Sequence, residues 1–137
     1  QLQILIRENM SEYASKVGDI LEQKLFNLKN NFECIGDVRG HGLYRMLDIV
    51  VDKKSRSANP ELAERIRREA VKEGIVMIAV KNYMRICPPL IVNEAEIDDI
   101  VGRLENAINR AISNQSEKID FSSSSSLAAN YKNKSVA

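Results

Sequence analysis

Arg85 stands out among the residues of this chain that are able to do chemistry. It lies in "YMRICPPLIV" (83–92), an otherwise apolar run that ends at Pro88 and Pro89. A guanidinium is a permanent cation, and its planar fork of donors matches a carboxylate through two parallel hydrogen bonds. Proline has no N–H to give to a ladder, so the pair marks the end of a strand. An arginine on that strand end is aimed with little entropy left to lose. Two readings are open on the residues alone. Arg85 pairs with a carboxylate of its own chain, for instance Asp48, or it clamps a carboxylate that a ligand brings.

The rest of the catalytic inventory is thin. His41 is the single histidine, held between Gly40 and Gly42, with Cys34 seven residues upstream. A zinc site needs several ligands, so this spacing reads as an ordinary loop histidine. No spacing of Ser or Cys with His and an acid suggests a nucleophilic triad. "RGHG" (39–42) lacks the lysine and hydroxyl of a phosphate loop, and its glycines read as a turn. Asp98 and Asp99 fall on the polar side of a helix and read as solvated. Cys34 and Cys87 suggest no disulfide framework, and Cys87, in its apolar run, reads as a core thiol.

Charge and hydropathy exclude two classes of partner. Twenty basic residues balance nineteen acidic ones, for a net charge of +1, and the two signs alternate in "ELAERIRREAVKEG". That pattern is a solvated helix face and not a nucleic-acid footprint. No apolar run approaches the roughly 20 residues that span a bilayer. The opening "QLQILIRENM" does not resemble a signal peptide, so the expected setting is reducing and cytoplasmic.

The elements that position these residues can be read from periodicity. Met10, Ala14, Val17, Leu21, Leu25, Leu28 and Phe32 recur at steps of three and four, which predicts a first helix. "KNNFECIGD" (29–37) reads as a loop. The run from Leu43 to Val51 predicts one strand, with Leu43, Leu47, Ile49 and Val51 on one face and Arg45 interrupting it. Tyr44, Met46 and Val50 make the other face apolar as well, so that strand is expected to be covered on both sides. Asn59, Pro60 and Gly74 punctuate a second helix as cap, first turn and stop. "IVMIAV" (75–80) and "YMRICP" (83–88) predict a hairpin, with Asn82 taking positive φ in the turn between them. Asn93 with Glu96 resembles a capping box for a last helix that carries Ile97, Ile100, Val101, Leu104, Ala107, Ile108, Ala111 and Ile112. The order helix, strand, helix, hairpin, helix predicts an α+β two-layer domain: a three- to four-stranded, largely antiparallel sheet covered by helices.

The expected organisation is an N-terminal helix over 1–33, packing on a small α/β domain over 34–115. The serine-rich residues 116–137 read as a disordered tail that buries little. The apolar start immediately after Gln1 reads as an entry into the middle of an element, which suggests a fragment.

Three stretches together resemble the C-terminal small domain of the class III aminotransferases, pyridoxal-phosphate enzymes that include acetylornithine, ornithine and 4-aminobutyrate aminotransferases. "IGDVRGHGL" (35–43) resembles the family's turn into its first small-domain strand. "PELAERIRREAVKEGIVMI" (60–78) resembles its middle helix and following strand. "MRICPPLIVNEAEIDDIVGRLENAI" (84–108) resembles its closing strand, Pro-Pro turn and last helix. Met46 stands where the family usually has a second glycine, and Arg45 where an apolar residue is common. The resemblance implies that Arg85 binds a substrate carboxylate, or an acid of the large domain when that carboxylate is absent. It also implies a large pyridoxal-phosphate-binding domain of the same enzyme, a homodimer, and amino acid and 2-oxo acid substrates. The Schiff-base lysine, the pyridine-nitrogen aspartate and the phosphate cup belong to that large domain, and none of their motifs appears here. No catalytic, cofactor-binding or metal-binding residue is therefore expected in this chain, and by itself it is expected to be inactive. The alternative is a stand-alone, non-catalytic α/β interaction module.

Overall fold

The computed structural model describes residue 3 and residues 9–115. The expectations for the apolar start and for the serine-rich tail lie outside the described residues.

Helix α1 spans Met10–Asn31 and buries Val17, Leu21, Leu25 and Leu28, the stripe expected from the spacing. After a short turn, β1 (Ile35–His41) and β2 (Tyr44–Ile49) form a hairpin. Helix α2 spans Pro60–Lys72, and the Asn59 side chain accepts from the Leu62 amide at 3.1 Å as its cap. A second hairpin joins β3 (Ile78–Val80) to β4 (Tyr83–Ile86). Helix α3 spans Glu94–Ser113 and opens on the full capping box of Asn93 and Glu96, with both bonds at 2.9 Å.

The four strands make one antiparallel sheet in the order β1-β2-β4-β3. The expected α+β architecture is thus present, with the four strands at the upper end of the expected three to four. The order is helix, hairpin, helix, hairpin, helix, because residues 35–41 are a strand and not a turn. Three glycines hid it. The register of β1 shifts between Ile35 and Asp37, so Gly36 is the extra residue of a bulge. Gly40 lies against the backbone of Tyr44. Gly42 takes φ +53° at the first central position of the two-residue turn between His41 and Tyr44, which suits a type II′ hairpin.

Alternation sorts the sheet into two unlike faces. Val38, Leu47, Met84 and Ala79 lie side by side across the four strands on the inner face. They join Ile49, Ile86 and the helix residues Leu25, Ile66, Leu104 and Ile108 in one core. Among the described residues, no helix lies on the outer face. Tyr44, Ile78 and Val80 are 45%, 46% and 61% exposed there. For the described residues the expectation of cover on both sides is therefore corrected: α1, α2 and α3 lie on one side. Val51, expected to point inward, is exposed because β2 has ended at Ile49. The second hairpin also departs in detail. Lys81, not Asn82, takes positive φ (+56°), since the Asn82 side chain is buried and donates to the Asp48 carboxylate.

Candidate functional site

Arg85 is exposed in the middle of β4, on the outer face. Register places Met46 directly opposite on β2 and Ile78 directly opposite on β3. Its guanidinium carbon lies 6.0 Å from the centre of the Tyr44 ring. Together with Val80 and Tyr83, these side chains line a small cavity of about 90 Å³. Arg85 brings a cation to an otherwise uncharged lining.

The expected alternative partner is occupied elsewhere. Asp48 receives the Asn82 amide and faces Arg39 at 3.6 Å. Arg39 in turn bonds Asp37 at 3.2 Å and stands 5.9 Å from the centre of the Tyr83 ring. Burial raises the Asp37 carboxyl, but the Val38 amide, Arg39 and Lys29 together outweigh it and hold its pKa below the usual range. The acids of the outer face are thus neutralised by Arg39 and Lys29. Among the described residues, the Arg85 side chain has no hydrogen bond and no ion pair, so its donor fork is free to meet an outside acceptor.

The buried cation of this sheet is Arg45. It is only 3% exposed, on the inner face beside Leu47. Its Nε donates to the Gly42 carbonyl at 2.9 Å. Its Nη1 donates to Glu22 at 2.8 Å and to the Gly40 carbonyl at 2.9 Å, and Nη2 donates to the Gly18 carbonyl at 3.3 Å. One side chain thus ties the tip of the first hairpin to α1. The approach is close, since a Cβ on Gly18 would come within 2.6 Å of the Gly42 Cα. The interruption of the apolar pattern at Arg45 was visible in the sequence. Its acceptors, three of them glycine carbonyls, carry no side-chain signal.

The other candidates are ordinary. His41 is exposed at the end of β1, beside a polar cleft of about 540 Å³ that also meets Ser15, Asp19 and Arg45. No group of three or more metal-ligating side chains occurs among the described residues. Asp98 pairs with Lys24, and Asp99 bonds Arg103 at 2.9 Å, both at the surface. The core-thiol expectation for Cys87 is corrected. Cys87 is exposed, because the chain leaves the sheet after Ile86, and it edges a cleft of about 250 Å³ with Pro88 and Pro89. Cys34 is the buried thiol, and burial raises its pKa. No described helix is long and apolar enough to cross a membrane.

Comparison with known proteins agrees with this geometry. The family profile described as aminotransferase class-III matches residues 1–108. The chain is 34% identical over 114 residues to a taurine–pyruvate aminotransferase of Bilophila wadsworthia, covering 77% of this chain and 25% of that one. It is 30% identical over 120 residues to an alanine/serine racemase of Pyrococcus horikoshii, covering 85% of this chain and 25% of the relative. Among solved structures it is similar to the omega transaminase from Pseudomonas jessenii in complex with PMP. The TM-score is 0.75 at 30% identity, with 80% of this chain and 25% of that chain covered. The chain spans about a quarter of the length of these relatives. With the profile running from its first residue into α3 and its sheet superposing on a transaminase, the chain belongs to the class-III aminotransferase family.

Proposed function

We propose that this chain is the C-terminal small domain of a pyridoxal-phosphate-dependent aminotransferase, and that Arg85 binds the carboxylate of its substrate. The complete enzyme moves an amino group from an amino acid or amine to a 2-oxo acid. Residues 34–115, with the helix of 1–33 packed on them, form the unit that meets a large domain, and the full enzyme is a homodimer. Because the chain covers about a quarter of relatives that include a racemase, the fold is shared between reactions. The observation that carries the proposal is the state of Arg85: exposed on the open sheet face, without an acidic partner among the described residues, ahead of Pro88 and Pro89.

Among the described residues, no lysine stands in a cleft that fits the cofactor the family implies. Lys24, Lys29, Lys53 and Lys72 are engaged at the surface by Asp98, Asp37, Glu33 and Glu69. None of the clefts described above is lined by a lysine. Pyridoxal phosphate and the chemistry it supplies are therefore assigned to the large domain, and what this chain contributes is recognition. An incoming carboxylate exchanges water for two charge-assisted bonds to a fork already mounted on a strand, which orients it at small entropic cost.

The test is substrate discrimination in the full-length enzyme. Arg85→Ala is expected to lower kcat/KM for carboxylate-bearing substrates by about a hundredfold or more, the scale of truncating one partner of a charge pair. Amines without a carboxylate are expected to keep their rates, and Arg85→Lys to rescue poorly, since a point charge cannot reproduce a bidentate fork. Equal losses for both kinds of substrate would assign Arg85 a structural role instead.

A further inference from the structure

Arg85 is a long side chain on an open face, and one neighbour restrains it in a particular way. Tyr44 is the first residue of β2 and points to the same outer face. Met46 opposes Arg85 in the register, so Tyr44 reaches the guanidinium across the diagonal, at 6.0 Å from ring centre to Cζ. Burial does not explain a tyrosine here, because it is 45% exposed. Its mounting is nevertheless firm. The adjacent Arg45 bolts the hairpin tip to α1 through the carbonyls of Gly18, Gly40 and Gly42 and through Glu22.

The chemistry of the contact matters. A carboxylate neighbour would fill the donor fork of Arg85 and compete with any ligand. An aromatic ring attracts the guanidinium through its quadrupole and leaves the N–H edge unfilled. We propose that Tyr44 is a positioning residue that holds the Arg85 fork in place, open to a substrate carboxylate. The inference rests on the reading of Arg85 as the carboxylate clamp. Loss of the ring leaves the charge present but its direction loose, so binding weakens while the chemical step is untouched.

Two measurements test it. In this 137-residue chain, the Arg85 Nε–H resonance is expected upfield of its position in Tyr44→Leu, through the ring current, with Tyr44→Phe retaining the shift. In the full-length enzyme, Tyr44→Leu is expected to raise KM for carboxylate substrates about two- to fivefold, the size of an exposed cation–π contact. The same variant keeps kcat, keeps KM for amines without a carboxylate, and is rescued by Tyr44→Phe. An Arg85 resonance indifferent to Tyr44→Leu overturns the inference, and so does a fall in kcat. If Arg85→Ala alone raises KM for carboxylates and Tyr44→Leu does not, the positioning role fails while the clamp stands. If neither variant affects carboxylates, both fail together.

Discussion

Arg45 and Arg85 stand on neighbouring strands with opposite surroundings, and their substitutions should behave oppositely. Removing Arg45 strands the carbonyls of Gly18, Gly40 and Gly42 and leaves Glu22 without its partner. Arg45 is buried but Glu22 is 37% exposed, so water can partly replace the lost bonds, and the substitution should cost about 1–3 kcal/mol, through the unmade hydrogen bonds and the space left by the side chain. Arg85→Ala removes no hydrogen bond among the described residues, so stability should change by no more than roughly 0.5 kcal/mol, as at other surface sites. Urea denaturation of the two variants of this chain checks the contrast. Similar losses for both would mean that Arg85 has a structural partner after all.

At the scale of elements, two helix glycines make a matched pair. Both sit inside helices, where alanine is normally better by about 1 kcal/mol. A Cβ on Gly102 meets nothing within 4 Å, so Gly102→Ala should stabilise α3 by about that amount. A Cβ on Gly18 would run into the backbone of Gly42, and backbone cannot step aside as a flexible side chain does. Gly18→Ala should therefore destabilise by about 1–3 kcal/mol, the usual cost of overpacking. Thermal midpoints that move in opposite directions are the expected result. Helix α2 offers a test by pH. Glu64 bonds Arg67 at 2.6 and 2.8 Å and Arg68 at 3.2 Å. The hydrogen bond from Arg67 chiefly, opposed by burial and helped by Arg68, holds its carboxyl down from 4.5 to about 2. A folded-state pKa below the unfolded one gives stability that is present above about pH 4.5 and lost as the pH falls toward 2. Water screens these exposed pairs, so Glu64→Gln should cost only about 0.3–0.5 kcal/mol at pH 7. The difference between variant and parent should close across that acid window. A gap that persists below pH 2 would show that the glutamate contributes through something other than its charge.

At the scale of the molecule, three helices seal one face of the sheet, and among the described residues nothing covers the other, where Tyr44, Ile78 and Val80 are exposed around Arg85. Such a half-covered sheet, covering about a quarter of its relatives, suits a domain that completes a cleft with another body. If the cofactor belongs to that other body, this chain alone should not capture it. Borohydride treatment of the isolated chain with pyridoxal phosphate, followed by mass analysis, is expected to show no stoichiometric pyridoxyl-lysine. A single adduct at one lysine would place cofactor chemistry in this chain and overturn the division proposed here.

Local patterns made much of this legible in the sequence. The stripe of α1, the caps at Asn59 and Asn93, and the end of β4 before Pro88 were readable because each depends on residues a few positions apart. Residue type and the Pro-Pro end singled out Arg85, and motif resemblance pointed to the family. What the sequence left open depended on contacts between distant residues. Strand β1 was hidden because its glycines serve a bulge, a close approach and a turn that exist only once β2 lies beside it. Cys87 is exposed, against expectation, because burial is set by where the chain leaves the sheet and not by the hydropathy of flanking residues. The surroundings of Arg85 were also tertiary: only the packed hairpins show Asn82 and Arg39 on Asp48 and Tyr44 beside Arg85. Hydrogen-bonding capacity can be read from residue types, but which donor meets which acceptor is decided by the register of the strands.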